Sequence, residues 1–346
     1  MENLEERVMN ISKNNLDKVM FFDKLDYNEI SYIYPHIKEK KFVKGEVILA
    51  QGTKGGDLYV IISGTVSVNI ILPGGHKMVL TTLSTGEVFG EVTFLSDLTV
   101  TASVVAQQPC KCLVLCHQLI QMLRLANPEI AFKLEQAIAL QTAEKISSNI
   151  NSINDLIKRI PEDVLVRSEH ALYLENLSAK AKILEFEELD FNQLKHLNFF
   201  QDFTEEKILT LLSLMEIKSY EKGYRFLVNM EKPVRKIGLL YTGAVMLFMK
   251  ENNQLKKSLA VIKNGELFMQ NFMFSDFCDV ADYVACEDSL VFELDIDKFY
   301  KLRELDLDIF YALSRAMNRE IAKSVYIVNR QFVRISSEFH HLIKER

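Results

Sequence analysis

Four short signatures recur along the chain at one nearly constant distance. Phe21-Phe22 returns as Phe199-Phe200, Lys44-Gly45 as Lys222-Gly223, Gly64-Thr65-Val66 as Gly243-Ala244-Val245, and Gly86-Glu87 as Gly265-Glu266. The offset is 178 or 179 residues throughout. Each pair alone carries nothing. A shared offset is hard to produce by accident, and it predicts two similar domains in tandem. The chain has 346 residues, enough for two or three domains with cores of their own. With 48% hydrophobic and 25% charged residues, and only 13 Gly and 6 Pro, it reads as folded rather than disordered.

Inside the first copy, short apolar runs alternate with turn residues. Lys41 to Ala50, Asp57 to Ile62, Val66 to Leu72 and Lys77 to Leu83 read as strands, with Pro73-Gly74-Gly75 turning the chain between the last two. Ala102 to Ala106 and Cys112 to Cys116 supply two more. The second copy repeats the pattern at Ile237 to Tyr241, Ala244 to Lys250, Lys257 to Ile262, Tyr283 to Ala285 and Leu290 to Leu294. Many short strands without intervening helices predict a closed or double-sheet all-β unit.

Helices flank both units. Asp26 and Glu29 have capping-box spacing before Ile30, Ile33 and Ile37. Asn127-Pro128 starts a helix that aligns Ile130, Leu134 and Ile138. After Asp306, a plausible cap, Phe310, Leu313, Met317, Ile321, Val325, Val328 and Phe332 form a stripe on a helix of about 25 residues, roughly 38 Å long. Two readings of the stripe stand: it packs back on its own β unit, or it forms a seam with a second copy through residues 307–332. Residues 141–198 contain Leu172, Leu174, Leu177, Ala181, Ile183 and Leu184 and predict a helical connector, broken near Pro161.

The formal net charge is -6, which argues against broad binding to nucleic acid or anionic membranes. No apolar run reaches membrane-spanning length, and the N-terminus lacks a signal core, so a cytoplasmic location is expected. Cys110, Cys112, Cys116, Cys278 and Cys286 are an odd, clustered set that predicts free thiols. Cys110-Lys111-Cys112 and Cys116-His117 lack a second ligand pair nearby, so no metal is expected. His340-His341 reads as part of a solvated tail. No phosphate-binding Walker loop, nucleophile elbow or zinc-protease helix is visible, and the chain is expected not to be an enzyme.

Lys44-Gly45-Glu46, Gly52, Leu58-Tyr59-Val60-Ile61, Ser63-Gly64-Thr65-Val66 and above all Gly86-Glu87-Val88-Phe89-Gly90-Glu91 followed by Ala102 give the first copy a family likeness. It resembles the cyclic nucleotide-binding domain of catabolite-activator-like regulators, protein kinase A regulatory subunits and cyclic-nucleotide-gated channels. The resemblance covers about residues 20–140, with a weaker copy at 199–325. It implies a mainly β fold with flanking helices: two β-roll, jelly-roll-like domains (20–140 and 199–332) joined by a helical connector (141–198), with an N-terminal helical extension (1–19) and a C-terminal tail (333–346).

In that family a glycine and a glutamate beside a short helix meet the ligand, the glutamate accepting from the ribose hydroxyl, while an arginine pairs with the cyclic phosphate. Phe89, Gly90 and Glu91 stand at the first positions. The segment that carries the arginine falls on Thr99, Val100, Thr101 and Ala102, so valine replaces arginine. Loss of one charge-assisted hydrogen bond is worth roughly 10- to 150-fold in affinity. The second copy departs further: Phe268, Met269 and Gln270 replace Phe-Gly-Glu, Asp279 falls at the arginine position and Ala281 at the alanine. Phe272, Met273, Phe274 and Phe277 crowd the same loop, as a packed-in site or an apolar groove.

The leading expectation is therefore a non-enzymatic signalling or scaffolding protein that works through protein contacts. The alternative is a regulator that binds a cyclic nucleotide or other small ligand in the first domain, with Arg167 or Lys180 as a compensating cation. The expected partners are a protein and a second copy of the chain. Too few residues follow Phe332 for a helix-turn-helix, so no nucleic-acid partner is expected. No basic pseudosubstrate stretch precedes the first domain, so kinase inhibition is not expected either.

Overall fold

The computed structural model describes residues 20–71, 77–159, 179–184, 191–200, 203–227, 235–251, 254–270 and 281–344. The expected turn at 73–75, Arg167, the cassette residues 272–279 and Cys278 lie outside them. The chain divides into two compact units, Met1–Thr142 and Ala143–Arg346.

Unit 1 begins with α1 (Tyr27–Ile33), fixed by a complete capping box: Asp26 accepts from the Glu29 amide and Glu29 from the Asp26 amide. Eight strands follow, β1 (Lys38–Phe42), β2 (Val47–Leu49), β3 (Leu58–Ser63), β4 (Val66–Ile71), β5 (Lys77–Leu83), β6 (Val88–Phe89), β7 (Ser103–Ala106) and β8 (Cys110–Leu115). They form two antiparallel sheets, β1-β8-β3-β6 and β2-β7-β4-β5. A short helix, α2 (Glu91–Leu95), interrupts the run between β6 and β7. The two inner faces share one core of Tyr59, Ile61, Val66, Leu83, Phe89, Val104, Ala106, Cys110, Cys112 and Val114. Alternation does the sorting: Val66 and Val68 face Ala106 and Val104 inside, whereas Ser67 and Asn69 pair with Val105 and Ser103 on the other face. Outside, Ser67 Oγ receives hydrogen bonds from Asn69 and Gln107. Helix α3 (His117–Ala126) follows, and α4 (Pro128–Lys158) runs across the division between the units.

Unit 2 opens with β9 (Ala181–Leu184), α5 (Phe191–Lys195) and α6 (Glu205–Leu214). Its remaining strands are β10 (Glu216–Tyr220), β11 (Lys236–Thr242), β12 (Val245–Glu251), β13 (Gln254–Ile262), β14 (Leu267–Phe268), β15 (Ala281–Ala285) and β16 (Ser289–Asp295). They form the sheets β14-β11-β16-β10-β9 and β13-β12-β15. Helices α7 (Ile296–Leu305) and α8 (Leu307–Lys344) close the chain.

The repeat is visible hydrogen bond by hydrogen bond. Gly45 N donates to Ala106 O at 2.8 Å, and Gly223 N to Ala285 O at 2.8 Å. Gly86 N donates to Ile61 O at 2.9 Å, and Gly265 N to Leu240 O at 2.7 Å. Glu87 caps the Ser84 amide as Glu266 caps that of Lys263, both at 2.8 Å. The bridge Arg225–Val284 repeats the pairing of Val47 with Val105. Gly64 is glycine because a Cβ there would lie 2.5 Å from Cys110 Cβ; at Gly243 it would lie 2.4 Å from Ser289 Oγ.

Three expectations need correction. Ala181–Leu184, read as helix, is an edge strand paired with β10; with three of its four residues exposed it shows no alternation to betray it. The last helix is longer than expected: α8 has 38 residues, about 57 Å. It absorbs residues 333–344, including 340–341, because no Gly or Pro follows Phe332 to stop it. Asp306 caps it as expected, accepting from the Ile309 amide at 3.0 Å. Of the stripe, Phe310, Leu313, Met317, Ile321, Val325 and Val328 are already buried within the chain and only Phe332 is half-buried, so it offers no continuous free seam for a second copy.

Candidate functional site

In unit 1 the chain leaves β6 at Phe89, turns through Gly90 in the left-handed region (φ +87°), and starts α2 at Glu91. Gly90 meets two demands at once. The positive φ disfavours a side chain, and a Cβ would stand 2.4 Å from the Asp57 carbonyl oxygen. Thr93 locks the turn to the loop before β3: its hydroxyl donates to Gly90 O at 3.1 Å and accepts from Gly56 N at 3.1 Å. Phe89 is held by a parallel stack on Tyr59, ring centroids 4.8 Å apart. Glu91 is 7% exposed, a carboxylate carried inside.

Val100 returns to the same frame from the other sheet. Its carbonyl accepts from Gly52 N at 2.8 Å, and its amide donates to Thr53 O at 2.9 Å. Val100, Ala102, Val104 and Ala106 are all buried and alternate with the less buried Thr99, Thr101, Ser103 and Val105. Val100 itself is buried, 4% exposed. Thr99 is exposed and Thr101 half-buried. Lys180, weighed as a compensating cation, belongs to unit 2, where its amide donates to Glu221 Oε2.

Unit 2 holds the same frame with different contents. Met269 takes the left-handed conformation of Gly90 (φ +69°) although it carries a side chain, and it is buried at 3%. Gln270, in the place of Glu91, is 2% exposed, and its Oε1 has no hydrogen-bond partner among the described residues. Gly238 replaces Tyr59, and Phe268 fills the space: a Cβ on Gly238 would lie 2.5 Å from the Phe268 ring. Phe268 also meets Phe226 (5.1 Å) and Tyr283 (5.4 Å), which stand where unit 1 has Ile48 and Val104. Ala281 is fully buried at the start of β15. Asp279 lies outside the described residues.

Two charged residues of unit 2 escaped the sequence reading. Glu293 occupies the place of inward-facing Val114. It accepts from the Tyr220 hydroxyl, from Lys218 Nζ at 2.9 Å and from Lys236 Nζ at 3.2 Å. Burial works to raise its pKa; the bonds from Lys218 and Tyr220 and the Lys236 charge outweigh it, and the carboxyl is held below its ordinary range. On the outer face, Asp282 is wholly buried, paired with Arg225 Nε at 2.9 Å and bonded to the Leu227 amide at 2.9 Å. Here burial outweighs the Arg225 charge, and the pKa is raised. Beside it Phe248, Val284, Met246 and Cys286 make apolar a face that is polar in unit 1. Superposing the two copies of the sequence at the observed offset would have exposed both residues.

Among the described residues no group of three or more His, Cys, Asp and Glu side chains is placed to hold a metal ion, and no helix is long and apolar enough to cross a membrane. Residues 39–127 match the family model of the cyclic nucleotide-binding domain. The cAMP-activated global transcriptional regulator CRP of Pasteurella multocida is 27% identical over 139 residues, 39% of this chain and 66% of that protein. A cGMP-dependent protein kinase of Plasmodium berghei is 28% identical over 185 residues, 53% of this chain but 20% of the kinase. The regulatory domain of Toxoplasma gondii protein kinase A, solved with cAMP, covers 87% of this chain and 94% of that chain at 14% identity and a TM-score of 0.32.

The expectation of no nucleic-acid partner does not stand, because transcriptional regulators recur among the relatives. Its physical basis was too coarse: net charge averages over a whole surface, whereas nucleic acid is met by a local patch. The shared hydrogen-bond frame and the matched first copy lead to one conclusion: the chain is a tandem of cyclic-nucleotide-binding-like domains, an architecture resembling the catabolite-activator-type regulators and the protein kinase A regulatory subunits.

Proposed function

We propose that this chain is a ligand-responsive regulator in which unit 1 binds a small ligand of the cyclic-nucleotide class or its relatives and unit 2 does not. This replaces the scaffold reading, which rested on Val100 and Asp279 alone. One observation carries it: within the same backbone frame, unit 1 keeps Gly90 and a buried Glu91, whereas unit 2 has Met269, a buried Gln270 and the Phe268 ring in their place. A glutamate at this place can accept from the hydroxyls of a ligand. The response to cyclic nucleotides in the names of the relatives points the same way.

The test is calorimetric titration of the full chain with cyclic AMP, cyclic GMP, adenosine and guanosine. One site per chain is expected, lost in Glu91→Ala and kept in Gln270→Ala, with circular dichroism confirming that both variants fold. Silence toward the whole panel, or a site that follows Gln270 instead, overturns the reading.

A further inference from the structure

We infer that the free edge of β1 in unit 1 is a docking strand for an acidic, extended segment of a partner protein. The internal repeat supplies the template. β10 is the counterpart of β1 at an offset of 178 residues: Glu216 stands where Lys38 does, and Tyr220 where Phe42 does. Each strand pairs antiparallel with its inner neighbour in the same register, Phe42 with Cys110 and Tyr220 with Ser289. The other side differs. β10 is covered by β9, in register from Ile217 opposite Leu184 to Tyr220 opposite Ala181. β1 is an edge strand, and among the described residues nothing pairs with its outer side. Lys38, Glu39, Lys40 and Lys41 are all exposed. One copy fills this position with a short strand of the chain itself; the other leaves it open.

The way β9 is held shows what such an edge requires. Three of its four residues are exposed, so main-chain hydrogen bonds rather than side-chain burial attach it. β1 offers the same main-chain edge with a different charge. Strand addition draws its affinity from the main chain and its selectivity from alternate side chains. Lys38 and Lys40 share one face of β1, and Glu39 and Lys41 the other. Glu39 is engaged by Lys111 at 3.0 Å, whereas among the described residues Lys38, Lys40 and Lys41 have no carboxylate partner. Lysine on an edge strand guards against edge-to-edge pairing. The guard has a sign. Like charges directly opposite destabilise a strand pair, so a second β1 is refused and an acidic strand is admitted. The inference does not rest on what the roll of unit 1 holds.

The test is fluorescence anisotropy of a labelled peptide of about seven residues, glutamate alternating with valine, titrated with the full chain. One control peptide carries lysine for glutamate. A second keeps the acidic sequence but has alternate amides N-methylated, so that it cannot complete a ladder. Amide hydrogen exchange of the complex locates the contact. The acidic peptide is expected to bind, to slow exchange within residues 38–42 and to weaken as salt is raised. N-methylation, or the combined change Lys38→Glu, Lys40→Glu and Lys41→Glu, should weaken it about 10-fold or more, and the lysine peptide should not bind. Circular dichroism checks the variant, and the N-methylated peptide tests the native chain without it. Silence toward the acidic peptide overturns the inference. Binding indifferent to N-methylation also overturns it, because the lysines would then be a site for any anion, nucleic acid included. Protection of 38–42 that rises with chain concentration in the absence of peptide overturns it too, by placing a second copy on the edge.

Discussion

Gly238 and Phe268 make one object: the ring lies where the missing side chain would be, and a Cβ would approach it to 2.5 Å. In unit 1 the same pair of positions is Tyr59 and Phe89, stacked 4.8 Å apart. One copy stacks two rings; the other deletes one ring and seats the other deeper. Gly238→Ala is therefore expected to destabilise the protein by about 1–3 kcal/mol through overpacking. Urea unfolding followed by fluorescence or circular dichroism measures it. An unchanged midpoint would mean that the ring moves aside freely.

Arg225 and Asp282 are an ion pair on the outer face of unit 2, with side chains almost fully covered. Removing one partner leaves the other charged and dry. Asp282→Ala and Arg225→Ala should each cost about 3–5 kcal/mol, whereas the double change Arg225→Met with Asp282→Leu should recover most of the loss. A double variant as unstable as the singles would show that the site requires the charges themselves.

Neither amide atom of the Asn318 side chain on α8, itself buried, has a hydrogen-bond partner among the described residues. Asn318→Leu removes two unsatisfied groups and adds a better helix former, so it should stabilise by about 1–3 kcal/mol. A lowered melting temperature would refute this.

Glu293 makes the stability of unit 2 depend on acid. Its folded pKa is depressed, so its contribution is fully present above the unfolded value of about 4.3 and is lost as pH falls through the lower folded value. Asp282, with a raised pKa, runs the other way. The comparison of Glu293→Gln with the native chain isolates the first effect. The difference in unfolding free energy should be largest near pH 6–7 and shrink below about pH 4. A difference that grows toward acid would reverse the assignment.

The thiols should sort by burial. Cys110 and Cys112 are buried with their sulfurs 3.9 Å apart, and burial raises both pKa values. Burial also pushes the Cys286 thiol up, to about 11. Among the four described cysteines, in the native protein at pH 8, iodoacetamide should modify half-exposed Cys116 first, Cys286 slowly, and Cys110 and Cys112 only on unfolding. Peptide mass spectrometry reads the order. Early labelling of Cys112 would contradict the packed core.

The repeat was legible in the sequence because its anchors are positions where backbone geometry restricts the residue. Gly45 and Gly223, Gly64 and Gly243, and Gly86 and Gly265 all carry positive φ. Such glycines persist when packing around them changes. Gly90 and Val100 could be placed by spacing alone, but the burial of Val100 is a property of the folded chain. The Ala181–Leu184 strand was illegible because an exposed edge strand has no apolar face to alternate. Glu293 and Asp282 were missed because a polar residue in a strand normally announces the solvent side, and here each is turned to a covered face and satisfied by partners far away in sequence. The reach of α8 beyond Phe332 was underestimated because a helix stops at breakers, and none follows.

Met269 and Phe268 can be regarded as an occupant joined to its host by the chain itself. A dissolved molecule fills a site in proportion to its concentration and stabilises the fold by the same measure. A tethered side chain is present once per molecule, at a local concentration that no metabolite can match or dilute. On the proposed reading, the second roll is thereby deaf to the composition of the surrounding solution.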